Sequence, residues 1–199
     1  MKIVAVSCSP RAGKTTCQAL EASLEAARKV DAAITTELLD LGGCEVKGCV
    51  ACGKCREGLV CTHADGFMDL VPPLADGDLA GLIVGTPVYF GSVTSQCKAF
   101  LDRCVMFRRK DFLLRDKVGG ALAVGGVRNG GQEYAIQTIH AAMLCQDMIV
   151  VSDGKPTAHF GAPLLSNAET GVSADDVGLE TARNLGRRVA EVALRLQGA

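Results

Sequence analysis

Four cysteines are spaced closely enough to bind a single inorganic centre. Cys49, Cys52, Cys55 and Cys61 follow the pattern C-x2-C-x2-C-x5-C, with three thiols inside seven residues. Thiolate sulfur is the ligand that proteins offer to iron–sulfur clusters, and thiols this near in sequence reach one core without closing a long loop. The spacing predicts a [4Fe–4S] cluster in the segment 44–61.

Cys44 leaves other metal sites open. Cys44-x4-Cys49-x2-Cys52 matches the opening of the plant-type [2Fe–2S] motif. Structural zinc also takes four cysteines, although usually as two pairs separated by a longer span. Free thiols are a further alternative. Disulfides are not expected, because nothing in the sequence indicates export to an oxidising compartment.

Three other segments suit a phosphorylated, planar ligand. Ser9–Thr16 offers hydroxyls, backbone amides and two cations between a predicted strand and a predicted helix, where phosphate is commonly received. Thr86–Ser92 is stiffened by proline and carries aromatic rings against which a flat ligand could lie. Gly125–Gln132 contains four glycines, which permit close approach of the backbone to a ligand. An ordinary helix start, a buried turn and a flexible surface loop are the respective alternatives.

Taken together, these segments predict a pocket for flavin mononucleotide (FMN). FMN fits such a pocket beside a cluster better than an adenine nucleotide does. The reason is that flavin exchanges electrons one or two at a time, and so can work with a one-electron centre.

Apolar runs that alternate with helical patterns place these segments in an α/β fold. Five runs rich in aliphatic residues predict buried parallel strands, and handed crossovers favour a doubly wound sheet in the order 2-1-3-4-5. Loops that follow parallel strands emerge at the carboxyl edge, so all four segments are expected to share that edge. A short helix over 67–74 is expected to be interrupted by Pro72 and Pro73, and 152–171 is expected to be a long loop. The predicted strands span 2–7, 34–41, 79–85, 118–124 and 148–151.

The composition narrows the class of protein. A chain of 199 residues, 48% of them hydrophobic, is expected to form one domain over 1–199. A net charge of -1 argues against a nucleic-acid binder, and no apolar run is long enough for a membrane span or a signal peptide. Ten cysteines then indicate a reducing cytoplasm. Six of them are expected in the core: Cys8, Cys17, Cys44, Cys97, Cys104 and Cys145.

Three sequence motifs resemble those of a known family. They are Cys-Ser-Pro-Arg-x-Gly-Lys-Thr at 8–15, Thr-Pro-Val-Tyr-Phe-Gly-Ser-Val at 86–93 with Phe-Leu-Asp-Arg at 100–103, and Val-Gly-Gly-x-Arg-Asn-Gly-Gly-Gln-Glu at 124–133. With the compact cysteine motif, the chain resembles the iron–sulfur flavoproteins of the flavodoxin-like NAD(P)H-dependent FMN reductase superfamily. The resemblance extends from the first strand to about Gly161.

This resemblance implies a flavodoxin-like fold, FMN bound through three loops and a [4Fe–4S] cluster on the four cysteines. Lys14 departs from the small or amide residue more usual at its position. The residues that match the FMN-binding positions are Ser9, Arg11, Gly13, Lys14, Thr15, Thr16, Pro87, Val88, Tyr89, Phe90, Gly91, Ser92, Gly126, Arg128, Gly130 and Gly131.

The resemblance also implies an oxidoreductase that relays electrons. The donor would be ferredoxin or a reduced nicotinamide, NAD(P)H, and electrons would pass between the cluster and FMN and on to a small acceptor. Family members assemble as homodimers or homotetramers, with flavin and cluster near subunit contacts. No catalytic acid or base is predicted. His63 is expected to be a polar loop residue, with cluster tuning or flavin protonation as alternatives. His140 is expected to be structural, and His159 could reach the mouth of the site.

Three rival functions remain on sequence grounds. A nucleotide hydrolase or kinase is one, because Cys8-x4-Gly13-Lys14-Thr15 misses the phosphate-loop pattern only at its first glycine, with Asp40 as a candidate metal ligand. A non-catalytic redox or iron sensor is another. The third is an FMN or quinone reductase in which the cluster is only structural.

Overall fold

The computed structural model describes residues 1–167 and 169–198. A parallel sheet forms its centre, in the order β2-β1-β3-β4-β5 with β6 also beside β4, so the predicted doubly wound order is confirmed. The strands are β1 (Lys2–Ser7), β2 (Thr35–Asp40), β3 (Leu79–Pro87), β4 (Val118–Gly125), β5 (Ile149–Val150) and β6 (Ala162–Leu165). The α-helices are α1 (Thr15–Arg28), α2 (Val71–Leu74), α3 (Ser95–Arg103), α4 (Val105–Arg109), α5 (Gln132–Leu144) and α6 (Asp176–Gln197), and short 3-10 turns span Lys54–Arg56 and Met68–Leu70.

Helices cover both faces of the sheet, which explains why the central strands are continuous apolar runs. Every residue of β3 and β4 is buried. On one face, Leu20 of α1 and Leu185 of α6 belong to a single buried cluster. On the other face, Phe100 of α3, Phe107 of α4 and Ile136 of α5 form a second cluster. The sheet is thereby held between two apolar layers, and its carboxyl edge carries the loops.

The predicted long loop over 152–171 contains a strand that the sequence pattern did not show. β5 pairs with the start of β4, and β6 pairs with the end of β4 on the same side. The two segments therefore share one edge position, which residues 151–161 interrupt. β6 was missed because it is only four residues long and includes Pro163, which interior strands rarely accept and an edge strand tolerates.

The prolines near residue 70 begin a helix and do not interrupt one. Pro72 and Pro73 lie in the first turn of α2. An N–H group at that position would have no partner within the helix, so proline costs nothing there. The predicted interruption is therefore wrong.

The six cysteines outside the quartet divide into two groups. Four of them are buried, as predicted, whereas Cys44 and Cys145 are exposed, and for these two the prediction is wrong. Across residues 1–167 and 169–198, no helix combines the length and the apolar character needed to cross a bilayer.

Candidate functional site

The first loop joins β1 to α1 and leaves the start of that helix free to bind an anion. Lys14 is the N-cap residue of α1, and no side chain caps the helix. The first N–H groups of such a helix have no intrahelical partner, and the helix dipole favours negative charge there. Thr16 adds a buried hydroxyl without a hydrogen-bond partner in the described chain, and Arg11 adds an exposed cation. The loop therefore suits a phosphate ester.

Asp40, at the end of β2, holds the first loop in shape. Its carboxylate accepts hydrogen bonds from the Gly13 N–H at 2.8 Å and the Gly42 N–H at 3.0 Å. Burial alone would raise the pKa of Asp40, but these N–H groups, with the Cys17 thiol and the Ser7 hydroxyl, outweigh it and lower the pKa below its ordinary value. Both carboxylate oxygens thus accept hydrogen bonds from the backbone, which gives Asp40 a structural role in the first loop.

Thr94 connects the second loop to the first. Its hydroxyl donates to the Cys8 carbonyl at 2.9 Å and accepts from the Cys97 N–H at 3.0 Å, which caps α3. The Thr94 N–H in turn donates to the Thr86 hydroxyl at 3.3 Å. One threonine therefore fixes the end of β3, the end of β1 and the start of α3 relative to one another.

The tip of the second loop carries aromatic side chains at the surface. Backbone hydrogen bonds of 2.9 and 3.2 Å join Tyr89 and Ser92 in a tight turn. Phe90 lies in this turn with a φ of 52° and a fully exposed side chain, and Tyr89 is about half exposed. Exposed aromatic residues of this kind are suited to a planar ligand or to another protein chain.

Gly131 brings the third loop against the second. Its φ is +110°, and a Cβ at this position would lie 2.7 Å from the Cα of Gly91, so only glycine fits. Gln132 fixes the shape of the third loop. Its Nε2 donates to the Val127 carbonyl at 2.8 Å, and its Oε1 accepts from the Gly130 N–H at 3.0 Å. The third loop is therefore formed without help from a ligand.

All the predicted FMN positions fall on these three loops, which contact one another at the carboxyl edge of the sheet. The first loop offers an anion site, and the other two offer aromatic and glycine backbone surface. This donor set fits FMN. The positions are Ser9, Arg11, Gly13, Lys14, Thr15 and Thr16 on the first loop, Pro87, Val88, Tyr89, Phe90, Gly91 and Ser92 on the second, and Gly126, Arg128, Gly130 and Gly131 on the third.

The cysteine segment begins at the same edge but then leaves it. Gly42 packs so closely on the first loop that a Cβ would lie 2.2 Å from a backbone atom there. Gln96, in the first turn of α3, donates to the Cys44 carbonyl at 3.2 Å, and Arg103, the last residue of α3, donates to the Lys47 carbonyl at 3.3 Å. The segment thus follows α3 over roughly 12 Å. The prediction that all four segments share the edge is therefore wrong for the quartet.

The four cysteines of the quartet line one cavity of about 310 Å³. All are free thiols; Cys49 and Cys52 are exposed, and Cys55 and Cys61 are half-buried. Cys44 lies outside the lining. No three His, Cys, Asp or Glu side chains of the described residues converge on a single ion. Four thiols around one cavity are nevertheless the donor set that a [4Fe–4S] cluster takes.

Two residues of the cavity wall carry buried polar atoms without hydrogen-bond partners. Arg103 is 2% exposed, pairs with Asp65 at 2.7 Å and stacks on the Phe67 ring at 4.2 Å. Its Nε and Nη2, like Nε2 of His63, have no hydrogen-bond partner in the part of the chain that the structure describes. Arg103 and His63 both line the cavity. Because buried donors are normally paired, these groups suit the sulfur acceptors of a cluster.

The other two histidines lie elsewhere. Nδ1 of His159 lies 3.1 Å from Oδ2 of the fully buried Asp153, and His159 lines a cleft together with Arg128 of the third loop. His140 lies in α5, where burial lowers the pKa of its ring. His159 thus lies near a predicted FMN position. His140 lies in a helix, and its structural role stays a prediction.

Several residues around the two candidate sites were not assigned a role from the sequence. Arg103 was part of a recognised motif, and that motif was a usable signal. The sequence around Asp65 and Gln96 gave no signal of their roles, because their contacts depend on how the cysteine segment follows α3. Arg109 donates from Nη1 to Sγ of Cys55 at 2.9 Å, and it too had no signal in its own segment.

Comparison with known proteins identifies the family. The family model of NADPH-dependent FMN reductases matches residues 1–162. An iron–sulfur flavoprotein of Methanocaldococcus jannaschii is 45% identical over 193 residues, covering 96% of this chain and 97% of its relative. One from Methanosarcina thermophila is 40% identical over 192 residues, covering 96% and 95%.

A solved structure shows the same fold. A flavodoxin, the WrbA-like protein of Agrobacterium tumefaciens, superposes with a TM-score of 0.66 at 23% identity, and the superposition covers 98% of both chains. Family and fold together make the protein an FMN-dependent oxidoreductase. The chain belongs to the flavodoxin-like NADPH-dependent FMN reductase family, as one of its iron–sulfur flavoproteins.

Proposed function

We propose that the protein relays electrons between a donor, a [4Fe–4S] cluster and FMN, and from there to a small acceptor. Cys49, Cys52, Cys55 and Cys61 hold the cluster. The cluster supplies one-electron transfer, and FMN supplies one- or two-electron transfer. The whole chain, residues 1–199, acts as one FMN-binding domain in the cytoplasm.

One observation carries the cluster assignment. Four free thiols surround a single cavity whose wall also holds Arg103 and His63, with donor atoms that lack partners in the described residues. A cluster with four thiolates is anionic and offers sulfur acceptors to such donors. The names of the M. jannaschii and M. thermophila relatives, both iron–sulfur flavoproteins, support the same assignment.

The residues proposed to bind FMN contact different parts of it. Lys14, Arg11 and the hydroxyl of Thr16 bind the phosphate at the start of α1, where no side chain competes as a cap. The Gly91–Gly131 contact positions the second and third loops so that the planar ring lies against backbone. No acid or base is required for the electron relay itself.

The donor is ferredoxin or NAD(P)H. Exposed arginines near the cavity, Arg56 and Arg109, suit a negatively charged donor protein. A homodimer or homotetramer is part of the proposal, because the quartet lies roughly 12 Å along α3 from the FMN loops of the same chain. A neighbouring subunit can bring a second flavin nearer to the cluster.

A second candidate function follows from that same separation. The protein could be an NAD(P)H-dependent FMN or quinone reductase whose cluster is only structural. In that case electrons would enter and leave at FMN alone. A redox sensor without turnover is a further alternative.

The test begins with protein purified under strict exclusion of oxygen. Iron, sulfide and FMN are assayed per chain, and the cluster type is read from visible and EPR spectra. Four irons, four sulfides and one FMN per chain are expected. Absence of iron, or zinc in its place, would overturn the cluster assignment.

Cys52→Ala then separates the relay from the reductase. The variant is expected to retain FMN and to lose turnover with reduced ferredoxin while keeping direct chemical reduction of FMN. Cys145→Ala, an exposed cysteine outside the quartet, is the matched control. Unchanged ferredoxin-linked turnover in Cys52→Ala would refute the relay, and absence of turnover with every donor in the unmodified protein would favour the sensor.

A further inference from the structure

We propose that Arg109 sets the reduction potential of the cluster through its contact with Cys55, an inference that rests on the cluster assignment above. Its Nη1 lies 2.9 Å from Sγ of Cys55, which makes Arg109 a charged donor to a proposed cluster ligand. Hydrogen bonds to ligand sulfurs and nearby net charge are among the factors that set cluster potentials. Arg109 supplies both factors at one sulfur.

The position of Arg109 is fixed by the packing of α4. Met106 and Phe107, in the same short helix, are fully buried and anchor it in the core. α4 packs against the 3-10 turn Lys54–Arg56, which contains Cys55. The guanidinium is therefore held at the sulfur by two packed elements, although Arg109 itself is exposed.

Arg103 and Arg109 differ in their net electrostatic effect on the cavity. The charge of Arg103 is balanced by Asp65, 2.7 Å away, so the pair contributes little net field. Arg109 forms no ion pair within residues 1–167 and 169–198. Guanidinium also stays protonated at every accessible pH. Arg109 is therefore a cation without a compensating ion pair whose guanidinium directly contacts one of the thiolates.

The sign of the effect follows from the charge that reduction adds. One electron from an external one-electron donor makes the cluster and its four thiolates more negative by one unit, and no proton needs to move. A fixed positive charge and a donated hydrogen bond both stabilise that added charge. Arg109 therefore favours the reduced form and raises the potential.

The experiment measures cluster potentials by anaerobic EPR-monitored redox titration of FMN- and cluster-loaded protein. In Arg109→Gln, the equilibrium constant for one-electron reduction is expected to fall by about threefold to tenfold, where tenfold equals about 59 mV. Solvent screening of an exposed charge keeps the effect to this size.

Arg108→Gln is the matched control, because it removes the same charge from the neighbouring position. The Arg108 guanidinium turns away, stacking 5.0 Å from the Phe112 ring centroid and donating to the Cys145 carbonyl at 2.6 Å. In Arg108→Gln, the equilibrium constant for one-electron reduction is expected to stay within about twofold of that of the unmodified protein. The reason is that the Arg108 charge is farther from the cluster and is screened over that distance.

Two outcomes would overturn the inference. One is an Arg109→Gln potential equal to that of the unmodified protein, and the other is an equal shift in Arg108→Gln. Should Arg109→Gln fail to load a cluster, Arg109→Ala is titrated in its place and is expected to shift in the same direction, because it too removes the charge of Arg109. No shift in Arg109→Ala would equally overturn the inference. Absence of a cluster from the unmodified protein would instead refute the proposed function, so the two failures are distinguishable.

Discussion

Arg103 and Asp65 form an ion pair at 2.7 Å in which both side chains are 2% exposed. This pair joins the end of α3 to the cysteine segment, because Asp65 also accepts from the Lys47 N–H at 2.9 Å. The Asp65 carboxylate is thus one of the groups that attach the cysteine segment to the core. A buried pair of this kind is costly to break from one side, since the remaining charge is left without a partner.

Arg103→Met is therefore expected to destabilise the fold by about 3–5 kcal/mol. The double variant Arg103→Met, Asp65→Leu is expected to cost less than the single one, because it leaves no unpaired charge. The free energies of unfolding of both variants are measured by urea denaturation under anaerobic conditions, monitored by far-UV circular dichroism. A single variant as stable as the unmodified protein would show that the pair does not hold the segment.

Acid is expected to loosen the same segment. Burial by itself would raise the pKa of Asp65, but hydrogen bonds from Lys47 and Arg103 and the charge of Arg103 outweigh it and lower the pKa. A carboxyl with a lowered folded pKa contributes stability that is complete above its unfolded pKa of about 3.9 and is lost as pH falls through the folded value. The unfolding free energy of Asp65→Asn should thus depend less on pH below about 5 than that of the unmodified protein. Identical pH profiles would contradict the assignment.

Gly131→Ala is expected to weaken FMN binding. The substitution strains a residue with φ +110° and presses its Cβ onto Gly91, which would push the second and third loops apart. Backbone strain alone costs about 1–2 kcal/mol, or about fivefold to thirtyfold in dissociation constant if it appears in binding. The dissociation constant is measured from the quenching of flavin fluorescence when the FMN-free protein is titrated with FMN.

Gly77→Ala is the control for that substitution. Gly77 lies in the exposed turn before β3, outside the three loops, its φ is outside the positive region, and a Cβ there would meet nothing within 4 Å. The affinity of Gly77→Ala for FMN should be close to that of the unmodified protein. Equal losses in the two variants would show that the Gly91 contact is unimportant.

Thr16→Val is expected to reduce FMN affinity by about tenfold to hundredfold, the usual worth of one hydrogen bond to a charged group. The hydroxyl is buried and lacks a partner within the described chain, so the phosphate is its natural acceptor. Thr16→Ser keeps the hydroxyl and should retain most of the affinity. If both variants bind FMN equally well, Thr16 does not contact the phosphate.

Cys44→Ala is expected to retain a full complement of iron and sulfide, whereas Cys52→Ala loses it. Cys44 lies outside the cavity that the quartet lines. Iron and sulfide assays on anaerobic preparations measure the difference. Loss of iron in Cys44→Ala with a two-iron EPR signal in the unmodified protein would favour the [2Fe–2S] alternative.

The strand order, and the position of the three proposed FMN loops after strands, could be predicted from the sequence because those features depend on local pattern. Continuous apolar runs in β3 and β4, and loops placed directly after strands, are readable without tertiary contacts. β6 could not be predicted from the sequence, because a short edge strand that contains Pro163 shows no distinctive hydrophobic period. The path of the quartet along α3 was hidden for another reason. It depends on Gln96 and Arg103, which contact the cysteine segment from more than fifty residues away.

The interrupted edge beside β4 limits how copies of this chain can associate. Because residues 151–161 project between β5 and β6, no long row of free N–H and C=O groups remains on that side for another strand to join. Assembly by extending one continuous sheet across two subunits is thereby disfavoured at this border. At this border, neighbouring subunits would instead meet through helices and loop tips, which are the surfaces where the redox groups are proposed to lie.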